Sequence, residues 1–250
     1  MKINKRAIIP VMLTLAAMLA GFSSIVLSAH GEFVMAARMI ILSMILDGLD
    51  GAMARLLKGT SSFGAELDTF VDMTSFGLAP ALLAYESCWH QFGGWGMVLA
   101  AGMVLSGASR LSRFRIIDPF RGQQGFLGLP ITCAGGFVTC MVFADQSGAL
   151  KAWGWDWFSL VNGPLAIGIW IAAAIMLVLQ VSHVHYTKAS KHPVVFLSGI
   201  VLVVMMFINF AHLSGVAALG GCAVGVYFAF FSPFIHPPAA KPEEKPAAAS

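Results

Sequence analysis

Residues 47–72 read DGLDGAMARLLKGTSSFGAELDTFVD, and they connect two long apolar blocks through a short polar loop. Of the twelve acidic residues in the chain, five lie in this stretch, namely Asp47, Asp50, Glu66, Asp68 and Asp72. The four aspartates lie in or at the ends of the apolar blocks. A charged side chain at bilayer depth costs about 2.5–3.5 kcal/mol, so four unpaired aspartates would cost on the order of 10 kcal/mol. A metal ion, arginine partners or a water-filled cavity must offset that charge.

The spacing of the aspartates places them on two facing helices. Asp47 and Asp50 are three residues apart and share one helix face. Asp68 and Asp72 are four apart and share a face in the same way. Because the loop at residues 58–64 is short, the two helices are antiparallel neighbours and the two pairs lie at similar depth. Carboxylates in this arrangement favour a hard cation such as Mg²⁺, Mn²⁺ or Ca²⁺ over zinc.

The composition is typical of an integral membrane protein. The 250 residues are 58% hydrophobic and 11% charged, about half the charged fraction of a soluble domain. Eight apolar blocks approach the length of about 20 residues that a transmembrane helix needs. They cover approximately residues 8–29, 35–57, 66–85, 94–111, 127–144, 164–182, 194–211 and 215–232. The sequence therefore predicts an all-α membrane helix bundle of about eight transmembrane helices, with residues 1–232 forming one domain.

Basic residues indicate the orientation of these helices. They gather at the N-terminus, in alternate connections and in the C-terminal tail, as Lys2, Lys5, Arg6, Lys58, Arg110, Arg113, Arg115, Arg121, Lys188, Lys191, Lys241 and Lys245. Lys151 is the clear basic residue of the opposite connections. The positive-inside rule then places both termini in the cytoplasm. Residues 233–250 are rich in Pro, Ala, Lys and Glu and are predicted to be a disordered cytoplasmic tail.

Small residues beside the aspartates favour the binding of a phosphorylated ligand. Gly51 and Ala54 leave one helix face almost bare, so a bulky ligand could lie against the backbone. Arg55, one turn after Gly51, could bind a phosphate, and divalent cations beside such a groove suit phosphoryl transfer. Two other interpretations of the acidic cluster stay open. One is the ion pathway of a transporter, and the other is structural pairing with Arg38, Arg55 or Arg110.

The spacing within residues 47–72 is similar to the signature of the CDP-alcohol phosphotransferase family. Eight positions match, namely Asp47, Asp50, Gly51, Ala54, Arg55, Gly64, Asp68 and Asp72. The resemblance implies a bundle of six core membrane helices, usually dimeric, with a polar cavity open to the cytoplasm. It also implies an enzyme that transfers a phosphatidyl group from a CDP-activated lipid to a small alcohol, with a pair of Mg²⁺ or Mn²⁺ ions as cofactor.

The resemblance carries roles over to individual positions. The implied metal ligands are Asp47, Asp50, Asp68 and Asp72. The implied CDP-binding residues are Asp50, Gly51, Ala54, Arg55, Gly64 and Asp68. Asp72 is implied to be the general base that takes the proton of the attacking hydroxyl.

Segments outside the signature resemble the bacterial phosphatidylserine synthase branch of the family. They are Ser75–Pro80, Arg110–Phe114 and Phe126–Pro130, and eight spans also fit that branch. The branch implies CDP-diacylglycerol as donor, L-serine as acceptor, and an active site on the cytoplasmic face of the bacterial inner membrane. Val11 and Ala17 depart from it, because asparagine is usual at both positions.

The arginines at residues 110–121 are candidates for binding the acceptor alcohol. Arg110 and Arg113 are expected to hold an anionic group, either the serine carboxylate or a lipid phosphate. The same cluster could bind a phosphorylated acceptor, so glycerol 3-phosphate and an inositol phosphate are the alternatives within the same chemistry. A divalent-cation transporter is the alternative from a different class, although transport has no need of a nucleotide cradle.

Overall fold

The computed structural model describes residues 7–117, 126–186 and 213–230, and most of them are helical. The longer helices are α1 (Ile8–Ala29), α2 (Phe33–Leu56), α3 (Ser62–Asp72), α4 (Ala79–Ser87), α5 (Gly94–Ile117), α6 (Ile131–Gln146), α8 (Ala166–Val181) and α9 (Leu213–Phe230). The short elements are a π-helical segment (Met73–Leu78), a 3₁₀ turn (Trp89–Phe92), α7 (Ala149–Ala152), β1 (Phe126–Leu127) and β2 (His185–Tyr186). The two strands pair antiparallel. The predicted all-α class is confirmed.

The helix positions follow the apolar blocks closely within the described residues. The first predicted block, residues 8–29, coincides with α1 at both ends. The third block is one continuous helical rod from Ser62 to Ser87, formed by α3, the π segment and α4. The predicted block at 194–211 and the predicted tail at 233–250 lie outside the described residues. The domain boundary at residue 232 and the disordered tail therefore stay predictions.

One described helix, α1, is long and apolar enough by itself to cross a membrane. With 24 residues each, α2 and α5 would extend about 36 Å, which exceeds a hydrocarbon core of about 30 Å. Their charged side chains, however, lower their hydropathy. The apolar helices α6 and α8 have 16 residues each and extend about 24 Å. The count of eight spans and the cytoplasmic termini stay predictions.

Close packing behind the aspartates joins three elements. The hydroxyl groups of Ser43 on α2 and Ser75 in the π segment both donate to the carbonyl oxygen of Ala17 on α1, at 2.8 and 3.4 Å. All three residues are fully buried. A Cβ on Gly21 would collide with Ser75, so glycine is required where α1 crosses the π segment. Because Ser43 lies one turn before Asp47, these contacts fix the backbone that carries the acidic side chains.

Candidate active site

The four aspartates converge from α2 and α3. One carboxylate oxygen from each of Asp47, Asp50 and Asp68 lies within 4.8 Å of the others. The side chains of Asp47 and Asp68 are in hydrogen-bond contact, and Asp72 interacts electrostatically with both. The structure therefore brings together all four carboxylates that the sequence singled out.

The cluster fits a divalent cation. The Oδ1 atom of Asp47 is buried and finds no hydrogen-bond donor among the described residues. Buried polar atoms are normally satisfied, and an unpaired buried carboxylate oxygen is costly. Several carboxylates packed together also repel one another. A cation with oxygen ligands would supply the missing partner of Asp47 and neutralise the charge at once.

A cavity of about 590 Å³ opens beside Asp50 and Asp68. Its walls include every predicted CDP-binding residue, namely Asp50, Gly51, Ala54, Arg55, Gly64 and Asp68. The N-terminal part of α1 and the loop between α2 and α3 supply the other walls. The residues of the predicted nucleotide cradle thus line one continuous space that reaches the acidic cluster.

The loop between α2 and α3 is shaped by two local motifs. Lys58 adopts a left-handed φ of 48°, and the amide of Gly59 donates to the carbonyl of Ala54 at 3.0 Å. This is the Schellman pattern that ends a helix. Ser61 then caps α3, because its hydroxyl oxygen accepts from the amide of Gly64 at 3.0 Å. The chain therefore reverses within a few residues. As a result, the predicted CDP-binding residues of α2 and those of α3 line the same cavity.

Thr14 is a site residue to which sequence reasoning gave no role. Its hydroxyl oxygen lies 2.6 Å from Oδ2 of Asp50 and 2.9 Å from the carbonyl oxygen of Pro10. The hydroxyl has one proton, and a carboxylate is the stronger acceptor, so Thr14 donates to Asp50. This bond fixes the orientation of the Asp50 carboxylate at the wall of the cavity. The available signal was a lone hydroxyl in an otherwise apolar stretch of α1.

The two positions that depart from the branch pattern lie at the site and behind it. Val11 lines the cavity with an aliphatic side chain. Ala17 contributes its carbonyl oxygen to the buried contacts with Ser43 and Ser75.

Arg110 and Arg113 have different surroundings. Arg110 on α5 is buried, interacts electrostatically with Asp72, and places its guanidinium 5.7 Å from the centre of the Phe114 ring. Arg113 instead donates to main-chain carbonyls at the end of α8, at 2.6 Å to Val181 and 2.7 Å to Ser182. The structure thus places Arg110 beside the acidic cluster, whereas the guanidinium of Arg113 is occupied by the backbone.

The other two arginines that could pair with the acids, Arg55 and Arg38, have different surroundings from Arg110. Arg55 lines the cavity, with its Nη1 3.5 Å from where a Cβ on Gly51 would be. Arg38 sits over the ring of Phe143 at 5.8 Å. Of Arg38, Arg55 and Arg110, it is Arg110 that interacts electrostatically with Asp72.

Comparisons with known proteins agree with the geometry. Residues 7–178 match the model of the CDP-alcohol phosphatidyltransferase family, and this range holds every site residue described above. A Helicobacter pylori (strain J99) protein named CDP-diacylglycerol–serine O-phosphatidyltransferase is 30% identical over 212 residues, covering 84% of this chain and 85% of that protein. A Bacillus subtilis protein of the same name is 33% identical over 135 residues, covering 54% and 75%. The archaetidylserine synthase of Methanothermobacter thermautotrophicus is 34% identical over 135 residues, covering 53% and 57%.

Proposed function

Because this chain belongs to the CDP-alcohol phosphatidyltransferase family, we propose that it transfers the phosphatidyl group of CDP-diacylglycerol to L-serine. The products are phosphatidylserine and CMP. The observation that supports this chemistry is the convergence of three aspartate carboxylates, two of which, Asp50 and Asp68, line the cavity. Support for serine comes from the names of the relatives and from the segments that resemble the phosphatidylserine synthase branch.

In this proposal the acidic cluster holds a pair of Mg²⁺ or Mn²⁺ ions through Asp47, Asp50, Asp68 and Asp72. When bound, the ions supply Lewis-acid stabilisation of the charge on the phosphate oxygens and make the acceptor hydroxyl more acidic. Thr14 keeps Asp50 in one orientation through the 2.6 Å hydrogen bond. The buried Oδ1 of Asp47, which has no hydrogen-bond donor among the described residues, supports a bound cation.

The cavity receives the CDP part of the donor. Gly51, Ala54 and Gly64 present backbone rather than bulk, and Arg55 supplies positive charge for the pyrophosphate. A Cβ on Gly64 would lie 3.1 Å from the Ser61 hydroxyl, so a side chain there would disturb the cap of α3 as well as the cavity. The lipid-linked phosphorus is then held beside the aspartates.

The transfer itself is a single displacement at that phosphorus. The serine hydroxyl oxygen bonds to the lipid-linked phosphorus while the bond from this phosphorus to the CMP oxygen breaks, and CMP departs as the anion. Asp72 accepts the hydroxyl proton, and Arg110 beside it balances the carboxylate charge. Arg110 also remains the candidate to hold the carboxylate of serine.

The location and assembly of the enzyme belong to the same proposal. We place it in the bacterial inner membrane as a homodimer, with the cavity facing the cytoplasm. The basic residues Arg55, Lys58 and Arg115 lie at the cavity end of the helices, which suits the cytoplasmic side. The homodimer is implied by the family resemblance.

A panel of acceptors tests the proposed function. Purified protein in nanodiscs is incubated with CDP-diacylglycerol, Mg²⁺ or Mn²⁺, and one of L-serine, glycerol 3-phosphate or an inositol phosphate. Of these acceptors, we expect only L-serine to give CMP release. The Asp72→Asn variant, in which release should fall at least about 100-fold, controls for host enzymes that copurify. CMP release with a phosphorylated acceptor instead would reassign the substrate. Absence of CMP with every acceptor, together with metal uptake into liposomes, would favour a transporter.

Replacing Arg113 by alanine separates a structural role from acceptor binding. Arg113 holds the carbonyls at the end of α8, and a hydrogen bond from a charged donor contributes about 1.5–3 kcal/mol. We therefore expect the variant to lower the thermal unfolding midpoint by several degrees while the KM for serine stays within about twofold of wild type. Arg113→Lys, which keeps the charge, should lose less stability. A raised KM with an unchanged midpoint would return Arg113 to the acceptor site.

A further inference from the structure

Arg38 is a cation at the opposite end of α2 from the aspartates. It lies five residues after Phe33, where α2 begins, and twelve before Asp50. At 1.5 Å per residue, Arg38 and Asp50 are separated by about 18 Å along the helix. Arg38 therefore belongs to neither the acidic cluster nor the cavity, and the transfer reaction makes no use of it.

The guanidinium of Arg38 has apolar neighbours. It lies over the ring of Phe143 at 5.8 Å, and Nη1 is 3.6 Å from the sulfur of Met35. Its Nε atom is buried and lacks a hydrogen-bond acceptor among the described residues. The ring offers a cation–π contact but accepts no conventional hydrogen bond. Of the five N–H donors of the guanidinium, the described residues therefore leave the one on Nε without an acceptor and offer Nη1 a thioether sulfur, which is a weak acceptor.

The acid nearest to Phe143 along α6 is already engaged. Asp145 accepts from the amide of Leu160 at 3.2 Å and from the side chain of Gln146 at 2.8 Å. Within the described part of the chain, the ion pair found joins Arg115 to Glu66, and no carboxylate lies within ion-pair distance of Arg38. The described residues thus supply a ring and a thioether to this arginine, but no anion.

The surroundings place Arg38 near the lipid headgroups of one leaflet. Met35, which the guanidinium contacts, lies three residues toward the beginning of α2, so the side chain points to that end of the helix. The chain that follows α6 at the same end carries Trp153, Trp155 and Trp157, which are all exposed. Exposed tryptophans of a membrane protein gather at the interface between hydrocarbon and headgroups. Along the membrane normal, the phosphate groups of the lipids are therefore expected at the position of these rings.

We propose that Arg38 binds the phosphate of an anionic phospholipid in the leaflet opposite the active site. A guanidinium recognises a phosphate with two parallel N–H donors, and we assign these to the terminal nitrogens of Arg38, because Nε is buried while the residue as a whole is only half-buried. Phe143 packs against the guanidinium at 5.8 Å. The binding chemistry is that of a phosphodiester. The site acts on structure rather than on the reaction, so it is independent of which alcohol is the acceptor.

The test compares wild-type protein in nanodiscs of phosphatidylcholine with and without phosphatidylglycerol. We expect phosphatidylglycerol to raise the thermal unfolding midpoint by about 2–4 °C. Arg38→Gln should abolish this rise, and Arg38→Lys, which keeps the charge but loses the paired donors, should keep part of it. Lys151→Gln is the matched control, because Lys151 is an exposed cation in the segment after α6 and should leave the rise intact. CMP release should persist in all three variants.

Three results would overturn the proposal. Equal loss of the rise in Arg38→Gln and Lys151→Gln would indicate a general charge effect at that face. An equal rise in detergent with inorganic phosphate, without phospholipid, would assign the site to free phosphate. If Arg38→Gln does not fold, native mass spectrometry of the wild type decides the matter, because equal retention of phosphatidylcholine and phosphatidylglycerol contradicts a site for anionic lipid.

Discussion

Replacing Asp72 by asparagine is expected to lower the rate of CMP release about 10²- to 10⁴-fold, the usual contribution of a general base. Asparagine keeps the shape of the side chain but cannot accept the proton of the serine hydroxyl. Asp72 ends α3 directly before the π segment and interacts electrostatically with Arg110. The loss should appear in kcat, measured with saturating CDP-diacylglycerol and serine, and only weakly in the KM for either.

Glu66→Gln provides the matched control on the same helix. Glu66 is also a carboxylate of α3, but it pairs with Arg115 on α5, and both side chains are substantially exposed. Exposed ion pairs contribute little, typically below about 1 kcal/mol, so this variant should retain activity within a few-fold. If Asp72→Asn stays as active as Glu66→Gln, Asp72 is not the base. If both lose activity equally, the whole helix rather than one carboxylate is sensitive to charge.

The aspartate cluster could be predicted from the sequence because its geometry is local. Spacings of three and four residues determine a shared helix face, and a short loop makes the two helices antiparallel neighbours. The convergence of Asp47, Asp50 and Asp68 needs little beyond those two facts. The cradle residues were predicted for a different reason, because their positions matched a known signature. Their common cavity then follows from the same antiparallel pair.

Contacts between elements distant in sequence could not be predicted in this way. The bond from Thr14 to Asp50 spans 36 residues and depends on how α1 lies across α2. Arg113 donates to carbonyls 68 and 69 residues away. The sequence of an arginine cluster does not indicate which arginine will bind the end of a helix and which will interact with an acid. Tertiary packing decides both cases.

The π segment after Asp72 is a further feature without a sequence signal. Met73–Leu78 reads as part of an ordinary apolar helix, yet the wider turn begins at the residue that follows the proposed base. Such segments are often found at functional sites. Here the fully buried Ser75 of this segment contacts the carbonyl of Ala17, so the wider turn is held against α1 directly beside Asp72.

Asp47→Asn is expected to abolish activity and, in the absence of metal, to make the protein more stable. Asp47 lies among Asp50, Asp68 and Asp72, and its Oδ1 has no donor among the described residues. An amide at this position removes one buried negative charge from a repulsive cluster. In metal-free buffer with chelator, the unfolding midpoint of the variant should therefore lie above that of wild type, while CMP release falls to background.

Adding metal should reverse this order of unfolding midpoints, so that wild type becomes more stable than Asp47→Asn. A ligand at about 100 times its dissociation constant stabilises the folded state by about 2.7 kcal/mol, or roughly 5–10 °C for a chain of this size. Wild type should show this rise with Mg²⁺ or Mn²⁺, and Asp47→Asn should show little or none. Asp145→Asn is the control, because Asp145 already accepts hydrogen bonds at the opposite end and should keep the full metal response. An undiminished metal response in Asp47→Asn would mean that Asp47 is not a ligand, and its unpaired oxygen would then need another partner.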